Sequence, residues 1–256
     1  TALLRPRKFA AGAIAMASLD PTTGMRRSQL YRRHINNKAV FKNTGYDFVV
    51  SHYDNGNDQH TELDQARSMA ICDLSTLPRT GFKGAGARSW AENQGIKIPD
   101  SVNRSIVQPD GCLVATLSDQ ELLILSDILA KSHQVTALGE QSTNDHLEND
   151  TQTYLLPRGD SHCWLAVTGN QAAEMFSKVC GVDLRPHKFA LGDIAQTSVA
   201  KTNAVVIRQD LGQILSYYIL CDISAAEFLW DCLLDAMQEY AGSPVGISAL
   251  EALVSA

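Results

Sequence analysis

The chain has 256 residues, 45% hydrophobic and 20% charged with a formal net charge of −6, the proportions of an ordinary globular protein with room for one large domain or two small ones. Its longest uncharged apolar stretch, Phe9 to Ala17, falls far short of the roughly twenty residues that cross a bilayer, so no membrane span is expected. The six cysteines (72, 112, 163, 180, 221 and 232) form no Cys-x-x-Cys pair and sit beside apolar neighbours, which argues against a disulfide framework or zinc site and for reduced thiols in the cytoplasm.

Charge is spread unevenly. Residues 1–42 carry nine Lys or Arg against one acid, Asp20, a balance of +8 against −14 for the remainder. So basic an arm is expected to lie on an acidic surface, its own or a partner's, or to stay solvated. Residues 1–28 are read as a basic N-terminal extension. Arg26, Arg27, Arg32, Arg33 and Lys38 could face a polyanion, but Phe9, Tyr31 and Phe41 are few aromatics to stack on bases, so nucleic acid is disfavoured.

Past the arm, Tyr46 to Val50 reads as a strand, His52 to His60 as a polar turn and Thr61 to Ala70 as a helix with Leu63, Ala66 and Ala70 on one stripe. The histidines and aspartates of that turn match no metal loop. Cys72 to Leu77 approaches a Pro-bounded turn, a short strand ends at Lys83, and Gly84-Ala85-Gly86-Ala87 opens a helix that carries Trp90 and stops at Gly95. These glycines complete no nucleotide fingerprint, so they predict close strand–helix packing. Arg104 to Gln108 and Cys112 to Leu117 predict a hairpin about Pro109-Asp110-Gly111, followed by a strand to Leu125 and a helix capped by Ser126-Asp127 and running to about Ala137. Residues 140–152 read as an acidic surface linker.

Beyond the linker the pattern returns. Val167-Thr168-Gly169-Asn170-Gln171-Ala172 repeats Phe82-Lys83-Gly84-Ala85-Gly86-Ala87 at an offset of 85. A helix through Met175, Phe176 and Val179 follows, then strands around 195–201, 204–208 and 214–220, then a long helix opened by Asp222 and bearing Phe228, Leu229, Leu233 and Met237. The expected fold is therefore α+β, with two pseudo-repeated strand-helix-hairpin-helix halves, about 29–139 and 153–256, within one domain of residues 29–256. Catalytic chemistry is hard to place. Ser161 and His162 are adjacent, and neighbours on a strand face opposite ways, so no hydrogen-bonded pair is expected there. No catalytic, cofactor-binding or metal-binding residue is assigned.

The run Leu30-Tyr31-Arg32-Arg33-His34, the segment Lys38-Ala39-Val40-Phe41, His60 with Arg67, and Cys72-Asp73-Leu74-Ser75 together resemble the opening of the folate-dependent aminomethyltransferase (glycine cleavage T-protein) superfamily. More specifically, Leu77-Pro78-Arg79-Thr80-Gly81-Phe82-Lys83-Gly84, Leu156-Pro157-Arg158-Gly159-Asp160-Ser161-His162-Cys163-Trp164, Ala195 to Ala200 and Phe228 to Ala236 resemble the gamma subunits of heterotetrameric sarcosine oxidases, over about residues 29 to 248. The resemblance implies the folate-binding fold shared by T-protein and the N-terminal part of tRNA-modification GTPases, without the C-terminal domain.

Departures qualify what is inherited. The family's Gly-x-x-x-Asp-Asp turn continues here from Gly111 to Ala115-Thr116, and a methyl group cannot act as a base. The family's folate-holding glutamate falls near Asn203 to Arg208, where no acid stands. The resemblance then implies a non-catalytic gamma-like assembly subunit of an oxidative demethylase of sarcosine or a related N-methylated amine. Its partners would be alpha, beta and delta subunits, with FAD, FMN, NAD and tetrahydrofolate held by those other chains. Arg79, Lys83, His162, Trp164, Arg32 and Arg33 are the expected partner contacts. The alternative is a stand-alone folate-binding one-carbon transferase with a rebuilt site, for which Asp110, Asp119 and Arg208 are the available groups, and a less favoured one is an RNA-binding protein.

Overall fold

A computed structural model describes residues 26–44, 47–54, 59–129, 131–144 and 152–255. Most of the basic arm, and part of the polar turn with Asp58, lie outside these residues.

The described chain opens with a short helix α1 (Tyr31–Asn36) and a hairpin of β1 (Ala39–Asn43) and β2 (Phe48–Tyr53), then α2 (Gln59–Ser68), β3 (Ala70–Asp73), β4 (Arg79–Lys83) and α3 (Ala87–Asn93). Strands β5 (Arg104–Val107), β6 (Leu113–Ser118) and β7 (Glu121–Leu125) precede α4 (Gln134–Asn144). The second half holds β8 (Tyr154–Leu156), a turn of helix α5 (Arg158–Ser161), β9 (His162–Thr168), α6 (Ala172–Phe176), β10 (Ile194–Val199), β11 (Thr202–Arg208) and β12 (Ser216–Asp222). It closes with α7 (Ala226–Met237), a two-residue strand β13 (Ser243–Pro244) and α8 (Ile247–Ser255).

Two larger sheets form. One runs β5-β6-β7-β4-β8, the other β10-β11-β12-β9-β3-β13. The first four strands of each are connected in the same order, and each sheet takes its fifth strand from the other half: β3 joins β9 antiparallel, and β8 joins β4 antiparallel.

Alternation along the strands explains the layering. In β9, Trp164 and Ala166 turn inward, where with Cys72, Ile207, Tyr218 and Leu220 they meet Leu113, Ala115, Leu117, Leu123 and Leu125 of the other sheet. Cys163, Leu165 and Val167 turn outward beneath Phe176, Leu229, Trp230 and Leu233 of α6 and α7. On the far side, Phe82, Val114, Leu122 and Ile124 lie beneath Ala87, Trp90, Ala91, Val135 and Leu138 of α3 and α4. Strands buried on both faces read as unbroken apolar runs, as Cys163 to Val167 does.

The repeated glycines are equivalent in space. Gly84 and Gly169 have φ of +125° and +114°. A Cβ on Gly84 would stand 2.0 Å from the Gln152 carbonyl oxygen, just before β8, and one on Gly169 would stand 2.2 Å from that of Ser68, just before β3. Each glycine thus lets a helix start press against the backbone leading into the borrowed strand.

Four expectations are corrected. The helix foreseen from Ser126 to Ala137 instead spans Gln134–Asn144, entering the segment read as a linker; Asp127 caps a turn, accepting from the backbone N–H of Lys131 (3.1 Å) and Ser132 (2.8 Å). Ala70 begins a strand rather than ending α2. The turn foreseen from His52 starts later, because His52 and Tyr53 extend β2. The helix foreseen through Val179 ends at Phe176. On α7 the buried stripe runs through Ala226, Leu229, Trp230, Leu233 and Met237, and Phe228 is exposed.

Candidate functional site

At one end of the space between the sheets, the turns after β5, β7 and β11 leave a cleft of about 330 Å³. Leu113, Ile128, Leu211 and Tyr218 form its apolar wall, and Asp110, Asp127 and Asp210 stand around it. Each carboxylate is already engaged. Asp110 accepts from the Ser132 hydroxyl at 2.5 Å and the Cys112 N–H at 3.2 Å. Asp127 holds the turn described above, and Asp210 takes two bonds from the Arg208 guanidinium, at 3.1 and 2.8 Å. Partial burial pushes the Asp110 carboxyl up, but the bonds from Ser132 and Cys112 prevail and hold it below the usual range. A carboxylate so stabilised is a poor proton acceptor near neutrality. Burial, with the nearby Asp110 charge, pushes the Cys112 thiol up to about 12, leaving it a weak nucleophile. Of the groups available to a rebuilt transferase site, Asp110 lines this cleft and Arg208 reaches it through Asp210, whereas Asp119 sits in the β6–β7 turn at the opposite end of β6.

Deeper in, Ala115 is buried between Leu113, Leu117, Leu123 and Leu125. Along β11, Ala204, Val206 and Ile207 are buried too. A pterin ring carries several N–H donors that need acceptors when desolvated. No carboxylate stands at the two places where the superfamily's would fall, so the residues do not fit a folate held in the superfamily manner. Nine side-chain polar atoms are nonetheless buried without a hydrogen-bond partner among the described residues, among them the Ser126 hydroxyl at the cleft, the Thr116 hydroxyl beside Ala115 and the Trp164 indole N–H in the interior. The Trp164 ring meets Tyr218, which lines the cleft, edge-on at 5.2 Å.

The partner contacts foreseen from the sequence divide. Arg79 is 5% exposed and serves as an internal clasp. Its guanidinium donates to the carbonyls of Ser75 (2.7 Å), Leu77 (3.0 Å), Gly159 (3.0 Å) and His162. Burial, then repulsion from Arg26, pushes it down to about 10. Trp164 is 0% exposed in the core. Neither can touch another chain, and both are withdrawn as contacts. Arg33 is committed within the molecule, bonding Glu227 (3.3 Å) and Asp231 (2.7 Å) on α7. With Lys42 to Glu251 and Arg26 to Asp160, three of the six Lys and Arg side chains described in residues 26–42 pair with the chain's own acids, while Arg27 and Arg32 lie against the Tyr31 ring. Lys83 (59% exposed, 3.6 Å from Glu121) remains at the surface, as does Arg32, which bonds the Tyr31 hydroxyl.

His162 is half-buried and, against expectation, pairs with Ser161: Oγ and Nδ1 are 2.8 Å apart. Ser161 ends the helical turn α5 rather than extending a strand, so alternation does not apply to it. The pair is oriented against catalysis. Arg158 stands 3.4 Å from Nε2 and can only donate, so Nε2 accepts and the ring proton sits on Nδ1, donating toward Ser161 rather than taking its proton. Burial and the Arg158 charge push this histidine down.

A second buried polar group went unforeseen. Asp73 accepts from the Ser28 hydroxyl, from His34 Nε2 at 2.9 Å and from the Ser75 N–H at 2.9 Å, while the Tyr53 hydroxyl meets His34 Nδ1 at 2.9 Å. Desolvation pushes the Asp73 carboxyl up, but the His34 bond and charge and the Ser28 and Ser75 bonds outweigh it and leave it lowered. The network ties the segment before α1 to β3. Among the described residues no three His, Cys, Asp or Glu side chains converge as a metal site, and no helix is long and apolar enough to cross a membrane.

Two largely antiparallel sheets, matching in the order of their first five strands and packed face to face between helices, define a mixed α/β fold of the aminomethyltransferase type. The family model described as the GCVT N-terminal domain matches residues 102–254, more than half of the chain, and the protein belongs to that family. A chain of the heterotetrameric sarcosine oxidase from Corynebacterium sp. U-96 superposes with a TM-score of 0.57 at 20% identity, covering 71% of this chain and 92% of that one. The glycine cleavage system aminomethyltransferase T from Bartonella henselae gives a TM-score of 0.67 at 14% identity over 88% of this chain, which spans 60% of that enzyme's chain. At these identities the likeness is one of fold. No curated protein matches the sequence.

Proposed function

We propose that the protein is a non-catalytic, gamma-like assembly subunit of a flavin- and tetrahydrofolate-dependent oxidative demethylase acting on sarcosine or a related N-methylated amine. The observation that carries this reading is Ala115, sealed among leucines where the superfamily has a carboxylate. The fold is kept while its proton acceptor is replaced by packing. The matching strand orders of the two sheets fit a duplicated, pseudo-twofold scaffold. Alpha, beta and delta chains would hold FAD, FMN, NAD and the folate, in the reducing cytoplasm that buried free thiols suit. Co-expression with a flavin-bearing alpha-type chain, followed by size exclusion, tests it: the two are expected to co-elute, and separate elution at micromolar concentrations counts against the assembly role.

A second reading, a chain that itself binds a small polar ligand such as a folate, draws support from the unpartnered Ser126 hydroxyl at the 330 Å³ cleft. Calorimetry with tetrahydrofolate decides it. Heat that is lost in Ser126→Ala would favour this reading, and no heat at high micromolar folate would remove it.

A further inference from the structure

The two sheets differ at one edge. In the larger sheet β3 is covered by β13, which runs parallel to it with Ser243 opposite Ala70 and Pro244 opposite Ile71. Val245 continues the contact, donating its N–H to the Ile71 carbonyl at 2.9 Å and burying its side chain. β8 holds the corresponding place beside β4, yet among the described residues no strand pairs with its outer edge. Its sequence, Tyr154-Leu155-Leu156, has none of the charges that usually guard an open edge. Tyr154 is 47% and Leu155 39% exposed, and as neighbours on a strand they leave both faces of the edge uncovered. The charges of the neighbouring segments are paired among themselves, Lys83 and Arg158 with Glu121 and Arg26 with Asp160.

We propose that the outer edge of β8 is the docking site of the partner chain, which adds an extended, apolar segment parallel to Tyr154–Leu156 as the sixth strand of this sheet. The chain supplies its own template: Ser243 to Val245 shows that an edge of this construction takes a short parallel strand with one buried β-branched side chain. Backbone pairing supplies the contact and the exposed Tyr154 and Leu155 the apolar surface. A second copy is disfavoured, because β8 meeting itself across a twofold axis pairs antiparallel. The proposal rests on the assembly reading and names the surface that reading requires.

The test is co-expression of the full chain with the alpha-type flavoprotein chain, as wild type, as the double variant Tyr154→Lys/Leu155→Lys, and as Phe228→Lys, a control at an exposed aromatic on α7. Wild type and F228K are expected to co-elute with the partner. The double variant should bind at least tenfold more weakly while keeping its far-UV circular dichroism and melting temperature. In the wild-type complex, amides 154–156 should gain protection from hydrogen exchange. If wild type fails to co-elute, the assembly reading falls. If wild type and the double variant bind equally, or amides 154–156 stay unprotected in the complex, the edge is not the docking site although assembly stands. Sedimentation of the chain alone as a dimer that the double variant abolishes would name a second copy as the occupant and overturn the proposal. Should the double variant fail to fold, the exchange measurement on the wild-type complex decides.

Discussion

Gly84 and Gly169 make a sharp claim at the level of single residues. Both hold φ values that L side chains rarely adopt, and both abut a backbone carbonyl. Gly84→Ala and Gly169→Ala are each expected to cost about 3 kcal/mol or more in urea titrations, because backbone strain and a clash add. Gly181→Ala, with open space around it, should stay within about 0.5 kcal/mol of wild type. Asp73 carries the pH prediction. Its carboxyl is lowered in the fold, so the stability it supplies is fully present above its unfolded value of about 3.9 and is lost as pH falls through the folded value. Asp73→Asn should destabilise the protein near neutrality and flatten the fall in stability on the acid side of about pH 5. An unchanged acid limb in the variant would remove Asp73 from the explanation.

Arg79 and the cysteines make predictions about how elements are joined. The Arg79 fork binds the turn before β4 to the turn that carries α5 through four carbonyls. Arg79→Lys keeps the charge and loses the fork, so a loss of at least about 2 kcal/mol is expected, and more for Arg79→Ala. A Lys variant as stable as wild type would show that charge, not geometry, holds the turns. Five cysteines are buried and Cys232 is only partly so. Cys163 and Cys221 face each other across β9 and β12 with their sulfurs 3.2 Å apart. A thiol reagent should therefore modify one site quickly in the native protein, Cys232, and all six after denaturation. Fast native labelling that survives Cys232→Ser would contradict the packing of both sheet faces.

Across the whole molecule, the fold was more legible in the sequence than the surface. Repeated glycines 85 residues apart and the Pro109-Asp110-Gly111 hairpin are local signals, and each corresponds to an element. What failed depended on distant chain. The carbonyls that bury Arg79 come partly from Gly159 and His162, some 80 residues on, so its charge suggested a contact that its surroundings forbid. Trp164 was misjudged because an aromatic side chain in a strand does not announce which face it takes. The Ser161–His162 bond was dismissed because the helical turn after Pro157 is only four residues long. The Ser28–Asp73–His34–Tyr53 network joins the segment before α1 to α1, β2 and β3, which no local pattern connects. The missing carboxylate at Ala115 was readable at once, and the apolar packing around it supplies its physical sense.

The trade of β3 and β8 between the sheets bears on how the chain could be cut. Each half, separated at residues 145–151, would leave with a strand that belongs in the other's sheet and without one its own sheet needs. Neither piece should fold by itself, yet the cut breaks no strand pairing among the described residues. Residues 26–144 and 152–255, produced as two polypeptides and mixed, are therefore expected to assemble into a native-like particle by fragment complementation. Two independently folded pieces would instead mean that the halves are autonomous and merely adjoin.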